Sequence, residues 1–544
     1  MHTDTAPYSG LPRALRWVYS LALLAALGVG GGCAGLPPGA HFPKADSIAL
    51  EHPEATPLGA QFAAAAQAHA GQSAFRLVPV GVDGFLLRAQ MIDAAQKTLD
   101  MQYYIFKADE TGKLLMEAML RAADRGVRVR LLVDDLDNLG QDSQVEALDA
   151  HPNIEVRLFN PLRYRGKVKA IRGAEMLLWS PRVDHRMHNK LMVIDNSIAL
   201  VGGRNIGDEY FQVDPDGQQG DFETFAGGPI VPELSKSFDV FWKSVMAIPA
   251  QALFEGESRP EALADFRQEL REHRQEKRED GSDYYTRIAT GEPLRGTLNG
   301  RIPLVWATAS VEYDSPEKKA VDAGEKGGRL LRHAIGRAAR ETQEDLRMIS
   351  AYFIPGEEGM RMFDKLRERG VEIHLLTNSL AANPERTAQS GYMHYRERLL
   401  TDGVDLHEIR PDPESTRGTA QSAKMSSYGN FGLHTKLYIF DRKKIFIGSM
   451  NFDQRSLHLN TELGLMIESP ELASQGARLF DALTQPANSY HVTLEKDGKD
   501  GTPHLAWHTE EDKQPVTLVR EPAKDDWQRM SVEMLSLLHF DSEL

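Results

Sequence analysis

Cysteine is almost absent: Cys33 is the only one in 544 residues, so the chain can form no intramolecular disulfide and no cysteine-ligated zinc centre. Basic residues are in deficit, 63 Lys and Arg against 78 Asp and Glu, for a net charge of −15. A broad polyanion-binding surface is therefore disfavoured, although a local basic pocket is still allowed. A membrane span is also missing from the clearest apolar run, Trp17 to Gly30, which falls short of the roughly 20 residues a span needs. Disorder is excluded by 41% hydrophobic and 26% charged residues. What remains is a folded chain with a soft prior of three or four units of roughly 150 residues each, long enough to bury a sizeable core.

The short apolar run has a place in a larger order. Arg13 and Arg16 precede it, and the small residues Gly31, Gly32, Cys33 and Ala34 follow. Basic, then apolar, then small is the order of a secretory signal. It resembles a bacterial lipoprotein signal, in which the cysteine would be lipidated and become the mature N-terminus, except that Gly30 stands where leucine is usual. An uncleaved anchor and an ordinary cleaved signal are the alternatives. Residues 34–74 carry Pro37, Pro38, Pro43, Pro53 and Pro57, then an alanine-rich stretch from Phe62 to Ala70. They read as a spacer with room for one short helix.

From Phe75 the pattern alternates. Asp83–Thr98 has helical apolar spacing, Leu99–Phe106 reads as a strand, and Leu114–Asp124 is helical up to the stop at Gly126. Val127–Val133 and Ile154–Leu158 are further strands. This alternation predicts a layered α/β fold.

The chain repeats itself at long range. Arg125-Gly126-Val127-Arg128-Val129-Arg130-Leu131-Leu132 recurs as Arg369-Gly370-Val371-Glu372-Ile373-His374-Leu375-Leu376, 244 residues later. Tyr104 pairs with Tyr352 at an offset of 248. Such a near-constant shift means a duplicated domain. Between the copies lies a charge-dense stretch, Glu255 to Leu298, read as a solvated helix or linker.

A third repeated pair carries chemistry. His188-Asn189-Lys190 is followed by four residues, Asp195, six residues and Gly202-Gly203-Arg204-Asn205. His434-Thr435-Lys436 is followed by four residues, Asp441, six residues and Gly448-Ser449-Met450-Asn451, at an offset of 246. Each copy reads as a strand leading to a glycine turn, and strand alternation puts His188 and Lys190 on one face, as it does His434 and Lys436. Two copies about a pseudo-dyad would bring two histidines and two lysines into one pocket. Lysines and asparagine amides suit a tetrahedral anion, and histidine suits a nucleophile, acid or base near neutral pH. This composition points to phosphoryl transfer at a phosphodiester without a cofactor, the lysines supplying the charge a metal would otherwise give. A lone His-x-Lys carries no signal, but two copies with equal spacing, at the offset of an independent repeat, do. The histidines lack a compact metal-ligand spacing, so no metal site is expected. By strand parity Asp195 and Asp441 point away from the pocket and are read as bonding turn amides.

The doubled motif resembles the phospholipase D superfamily over residues 75–490. Leu200 to Phe211, Ser350 to Pro355, Thr377 to Ala382 and Phe446 to Ser456 are similar to bacterial cardiolipin synthases of the phosphatidylethanolamine-using type. The resemblance implies two tandem α/β/α sandwich domains related by a pseudo-dyad, with the active site between them. It divides the chain into an export segment at 1–33, a spacer at 34–74, a first domain at 75–254, a charged linker at 255–300, a second domain at 301–490, and a C-terminal segment at 491–544 packed on the second domain. It implies a phosphatidyl-histidine intermediate, with His188 as nucleophile and His434 as acid and base. Lys190, Lys436, Asn205 and Asn451 would hold the phosphate. An acidic residue downstream of each motif would orient that motif's histidine: Asp221 (with Glu223 as alternative) in the first half and Glu462 in the second. The implied substrates are phospholipids at a membrane surface of the bacterial cell envelope, not nucleic acid, and a helper protein is admitted. A hydrolytic phospholipase D, a nuclease of the same superfamily and an inactive lipid-binding protein stay open. Among tempting residues, His185 is read as a gate or surface group, and Tyr103, Tyr104 and Tyr352 as core or pocket wall. Gly391 to Arg396 is read as either a lipid entrance or a surface helix.

Overall fold

A computed structural model describes residues 36–537, apart from 139, 167, 214–216, 255–259, 280–290, 415–430, 497–500 and 502. The export segment and Cys33 lie outside the described residues. Among the described residues, no helix is long and apolar enough to cross a membrane.

The first half supplies β1 (Ser73–Val78), β2 (Thr98–Tyr103), β3 (Arg128–Asp134), β4 (Ile154–Phe159), β5 (Leu191–Ile194), β6 (Ile198–Gly202), β7 (Gln218–Gly220), β8 (Glu223–Gly227) and β9 (Ala247–Pro249). The second half supplies β10 (Val305–Tyr313), β11 (Asp345–Ser350), β12 (Glu372–Asn378), β13 (Asp405–Ile409), β14 (Phe431–Leu433), β15 (Lys436–Phe440), β16 (Lys444–Gly448), β17 (Leu463–Glu468), β18 (Ser489–Lys496), β19 (Pro503–Glu511) and β20 (Gln514–Leu518). In space the first half runs β9-β4-β3-β2-β5-β6-β8-β1. The second runs β10-β17-β16-β15-β11-β12-β13-β18-β19-β20. Read outward from β1 and from β10, the two series are the same order, extended at the far end of the second by β19 and β20. Antiparallel pairing of β1 with β10 joins them into one continuous sheet. The duplicated α/β layout expected from the repeat is present.

In each half, parallel strands alternate with crossover helices, as in Gly81–Ala94 and Glu110–Asp124. Asp109 caps the second of these by accepting the Gly112 amide, and Gly126 ends it with φ +90°. One apolar cluster crosses between the halves: Val193, Val201 and Phe241 pack in it together with Ile439, Ile447 and Phe480. The motif aspartates explain the hairpins. Asp195-Asn196 and Asp441-Arg442 take positive φ, the conformation of a tight two-residue β-hairpin turn. The Asp195 carboxylate accepts the amides of Gln96, Lys97 and Thr98, and Asp441 those of Gln343, Glu344 and Asp345. Each aspartate thus ties its hairpin to the start of the neighbouring antiparallel strand, β2 or β11, facing away from the pocket.

Three expectations change here. The spacer is no free tether in its described part: Ala45 and Ser47 carbonyls accept from Arg157 and Arg130, Leu50 from Asn196, and Phe62 of helix Pro57–Gln67 is buried. The charged stretch does form a helix, Pro260–Glu279, but not a fully solvated one: Phe266 and Leu270 enter the core of the first half while Arg267 pairs with Asp124. The Tyr104–Tyr352 match is one residue out of step. Leu99 opposes Ile194 as Leu346 opposes Phe440, so the offset in this strand is 247 and Tyr104 corresponds to Ala351. The tail does extend the second half, by β19, β20 and helix Asp526–Ser536, where Gln528 reaches the Leu380 carbonyl.

Candidate active site

His188 and Lys190 lie at the entry to β5, His434 and Lys436 at the entry to β15, and the two halves meet there through backbone. The His188 amide donates to the Thr461 carbonyl at 2.9 Å, and the His434 amide to the Gly220 carbonyl at 2.8 Å. β7 and β14 form a short parallel pair across the seam, matched on the other side by a Met187–Thr461 bridge. These contacts put each histidine beside the acidic residue of the opposite half. His188 Nδ1 lies 2.9 Å from Glu462 Oε2, and His434 Nδ1 lies 2.6 Å from Asp221 Oδ2. The expected pairing within each half is therefore corrected to a crossed one. Glu223 is not the alternative: it is bound by Arg88 and Arg204 behind the site.

The imidazoles face each other with centroids 6.5 Å apart, and with each Nδ1 held by a carboxylate, each Nε2 is the nitrogen left for chemistry. Lys190 Nζ donates to the His188 carbonyl at 2.7 Å, and Lys436 Nζ to the His434 carbonyl. All four side chains are buried. Burial, then the two lysine charges, holds His188 well below the usual imidazole range. Burial and Lys436 bring His434 down to about 3 against the pull of Asp221. Burial therefore favours the neutral form of both rings. Burial lowers Lys436 to about 8 and Lys190 well below its usual range. An anion entering between them would reverse these shifts, since it favours every cationic form nearby.

The carboxylates differ. Burial pushes Glu462 up to about 7, although Lys190 and the Ser449 hydroxyl, which donates to it, work the other way. Asp221 is equally buried, yet its bond to His434 and the charges of Lys436 and Arg204 keep it below the usual carboxylate range.

The remaining predicted residues divide. Asn205 is already engaged, its Oδ1 accepting from the Ile105 amide at 3.2 Å and its Nδ2 donating to the Tyr210 hydroxyl at 2.9 Å. It thereby fixes a wall of the site instead of offering its amide to an anion. Asn451 is buried, and its Oδ1 meets no donor among the described residues. Tyr104 stands edge-on to His188 at 5.1 Å, and Tyr210, which carried no role in the sequence reading, stands edge-on to His434 at 5.2 Å. Ser449 was also missed. Its only signal was its place in the second glycine turn, where the first half has Gly203. His185 is no surface gate. It is buried, with Nδ1 2.8 Å from the Leu459 carbonyl and Nε2 2.6 Å from that of Pro316, both in the other half. Tyr392 and Arg396 are buried as well. Both reach Glu408 from the inner face of helix Arg386–Thr401, while His394 on the same helix is exposed, so the 391–396 segment is the amphipathic surface helix of the two expected readings.

Comparison with known proteins gives the family. Residues 89–224 and 333–484 match the family model described as cardiolipin synthase, PLD-like domain. Cardiolipin synthase C of Escherichia coli is 35% identical over 475 residues, covering 86% of this chain and 96% of that protein. An uncharacterized Helicobacter pylori protein is 32% identical over 78% of this chain and 82% of its own length. In fold, the crystal structure of phosphatidylserine synthase from Haemophilus influenzae matches with a TM-score of 0.50 at 14% identity, covering 79% of this chain and 91% of that one. The chain belongs to the cardiolipin synthase family of phospholipase D-like proteins.

Proposed function

We propose that this protein is a phosphatidyltransferase that makes cardiolipin from phosphatidylglycerol and a second phospholipid. One observation carries the reading: two buried histidines lie with ring centroids 6.5 Å apart, each backed by a carboxylate from the opposite half and flanked by a buried lysine. Binding of the anionic phosphate favours the protonated form of His434; His188 Nε2 then attacks the lipid phosphorus, the bond from phosphorus to the headgroup oxygen breaks, and the His434 imidazolium gives that oxygen its proton. A hydroxyl of phosphatidylglycerol then loses its proton to His434 and attacks phosphorus, breaking the phosphorus–nitrogen bond and freeing His188. The ionised Asp221 supports this division, because it favours the imidazolium that His434 must form. Lys190 and Lys436 neutralise the phosphate, with Asn451 beside them and Asn205 positioning Tyr210.

A membrane surface is the setting this chemistry needs. Val168, Ile171, Leu178 and Trp179 are exposed around helix Lys169–Leu178, which ends ten residues before His188 and suits an interfacial seat in lipid. Lipidation at Cys33 would hold the enzyme in the cell envelope.

Lipid product analysis tests the reading. The purified protein is incubated with phosphatidylethanolamine and phosphatidylglycerol in mixed micelles, beside His188→Ala. Cardiolipin from the wild type alone is expected. Phosphatidic acid alone would replace the synthase with a hydrolytic phospholipase D, and no product from either lipid would overturn both.

A further inference from the structure

Far from the paired histidines, on β12, β13, β18 and β19 of the second half, four imidazoles and one carboxylate share a face of the sheet. His374 opposes Asp405, His407 opposes His491, and His491 opposes His508. Asp405 lies at the centre. Its Oδ1 is 3.2 Å from His407 Nε2 and 3.1 Å from His491 Nε2, while its Oδ2 is 2.8 Å from His374 Nδ1. The His407 and His491 rings stack at 4.8 Å, and the ligand atoms of Asp405, His407 and His491 all fall within 4.8 Å of one another.

The first half shows what this position does when it only needs to be filled. In register, Arg130, Glu155 and Arg157 of β3 and β4 stand where His374, Asp405 and His407 stand in β12 and β13. There the two guanidiniums are buried, lie over the Trp242 ring, and are closed off by the carbonyls of Ala45 and Ser47. The second half replaces those permanent cations with imidazoles and leaves the face open: the side chains of Asp405 and His491 are 38% and 47% exposed. A cluster of imidazole nitrogens around one carboxylate, reachable from solvent, is a ligand set and not a sealed ion pair.

We propose that Asp405, His407 and His491 bind one divalent transition-metal ion of the zinc class, outside the active site. Around a tetrahedral zinc with bonds of about 2.0 Å, neighbouring donor atoms lie about 3.3 Å apart. The two nitrogen-to-oxygen separations here are already close to that edge length. Two imidazoles and a carboxylate leave the fourth position to water. His374, on the carboxylate's other oxygen, is the outer partner that aims it. Because His407 is on β13 and His491 on β18, the ion would staple the C-terminal strands to the body of the second half. The ligands are scattered in sequence at 405, 407 and 491, which is why no compact spacing announces them.

The test uses the full chain, made without a polyhistidine tag and stripped with chelator. Zinc is added, and bound metal is counted after equilibrium dialysis. One tightly bound zinc per chain is expected, with a higher unfolding temperature. His407→Ala/His491→Ala should lose that zinc and the thermal shift, and His374→Ala should keep the stoichiometry with roughly 10- to 100-fold weaker affinity. Cobalt in place of zinc should give tetrahedral visible absorption in the wild type and not in the double variant. Both variants are checked for folding by circular dichroism without metal. No bound zinc in the wild type, or equal binding in the double variant, overturns the proposal.

Discussion

The two halves share one strand order in the body of the sheet, yet they equip the shared centre differently. The first half contributes the short carboxylate Asp221, and the matching glycine turn leaves it no neighbour: a Cβ on Gly203 would lie 2.5 Å from both of its oxygens. The second contributes the longer Glu462 and spends the equivalent position on Ser449, whose hydroxyl donates to it. Behind Asp221, Glu223 holds Arg88 and Arg204. In the second half Gly464 and Met450 stand at the places of Glu223 and Arg204. Both ring edges on the histidines, Tyr104 and Tyr210, come from the first half. Duplication therefore fixes where the reacting groups sit, and the unduplicated residues behind them set their charge. One histidine is backed by a settled anion, the other by a carboxyl poised near neutrality.

The comparison breaks first, and most completely, at the histidines. His188→Ala and His434→Ala should each abolish turnover of natural phospholipid while the chain stays folded. With a labelled phosphodiester whose leaving group needs no proton, His434→Ala should still form labelled enzyme and His188→Ala should not. Label retained only in His188→Ala would exchange the two roles.

Much of this was legible in the sequence because it is local. A strand of alternating residues delivers His188 with Lys190 and His434 with Lys436 to one face, and the hairpin needs Asp195 and Asp441. The crossed pairing of His188 with Glu462 is not local. It depends on backbone contacts at Gly220 and Thr461 that join residues more than two hundred positions apart, and no spacing encodes that. The spacer was misread for the same reason. Its prolines look like a tether, but its carbonyls are the caps of buried guanidiniums on β3 and β4. Tyr104 was matched to the wrong partner because identity between tyrosines outweighed a one-residue change of register that only the strand pairing reveals.

A smaller effect sharpens the contrast at the glycine turn. Gly203→Ala would push a methyl against the Asp221 carboxylate, which cannot withdraw without leaving His434. Misplacement of about 1 Å in a catalytic group costs on the order of 10²-fold. A loss of that size in kcat, with circular dichroism unchanged, is expected, whereas Ser449→Gly should be much milder. Equal losses would mean the two turns are interchangeable.

The smallest effect concerns the poised carboxyl itself. If His188 needs Glu462 ionised to hold its Nδ1 proton, activity should fall as pH drops through about 7 in the wild type, because burial has raised that group into this range. Asp221, kept below the usual carboxylate range, should add no limb there. Removing the Ser449 hydroxyl takes a donor from the ionised form only, so Ser449→Ala must move the limb to higher pH. A hydrogen bond to a charged group contributes roughly 1.5–3 kcal/mol, and each pH unit is about 1.4 kcal/mol, so a shift of about one to two units is expected. Glu462→Gln should abolish the limb, while Asp221→Asn should lower kcat and leave the limb where it is. A limb that stays in Glu462→Gln, or moves with Asp221→Asn instead, would place the titrating group in the first half and reverse the asymmetry between the two acids.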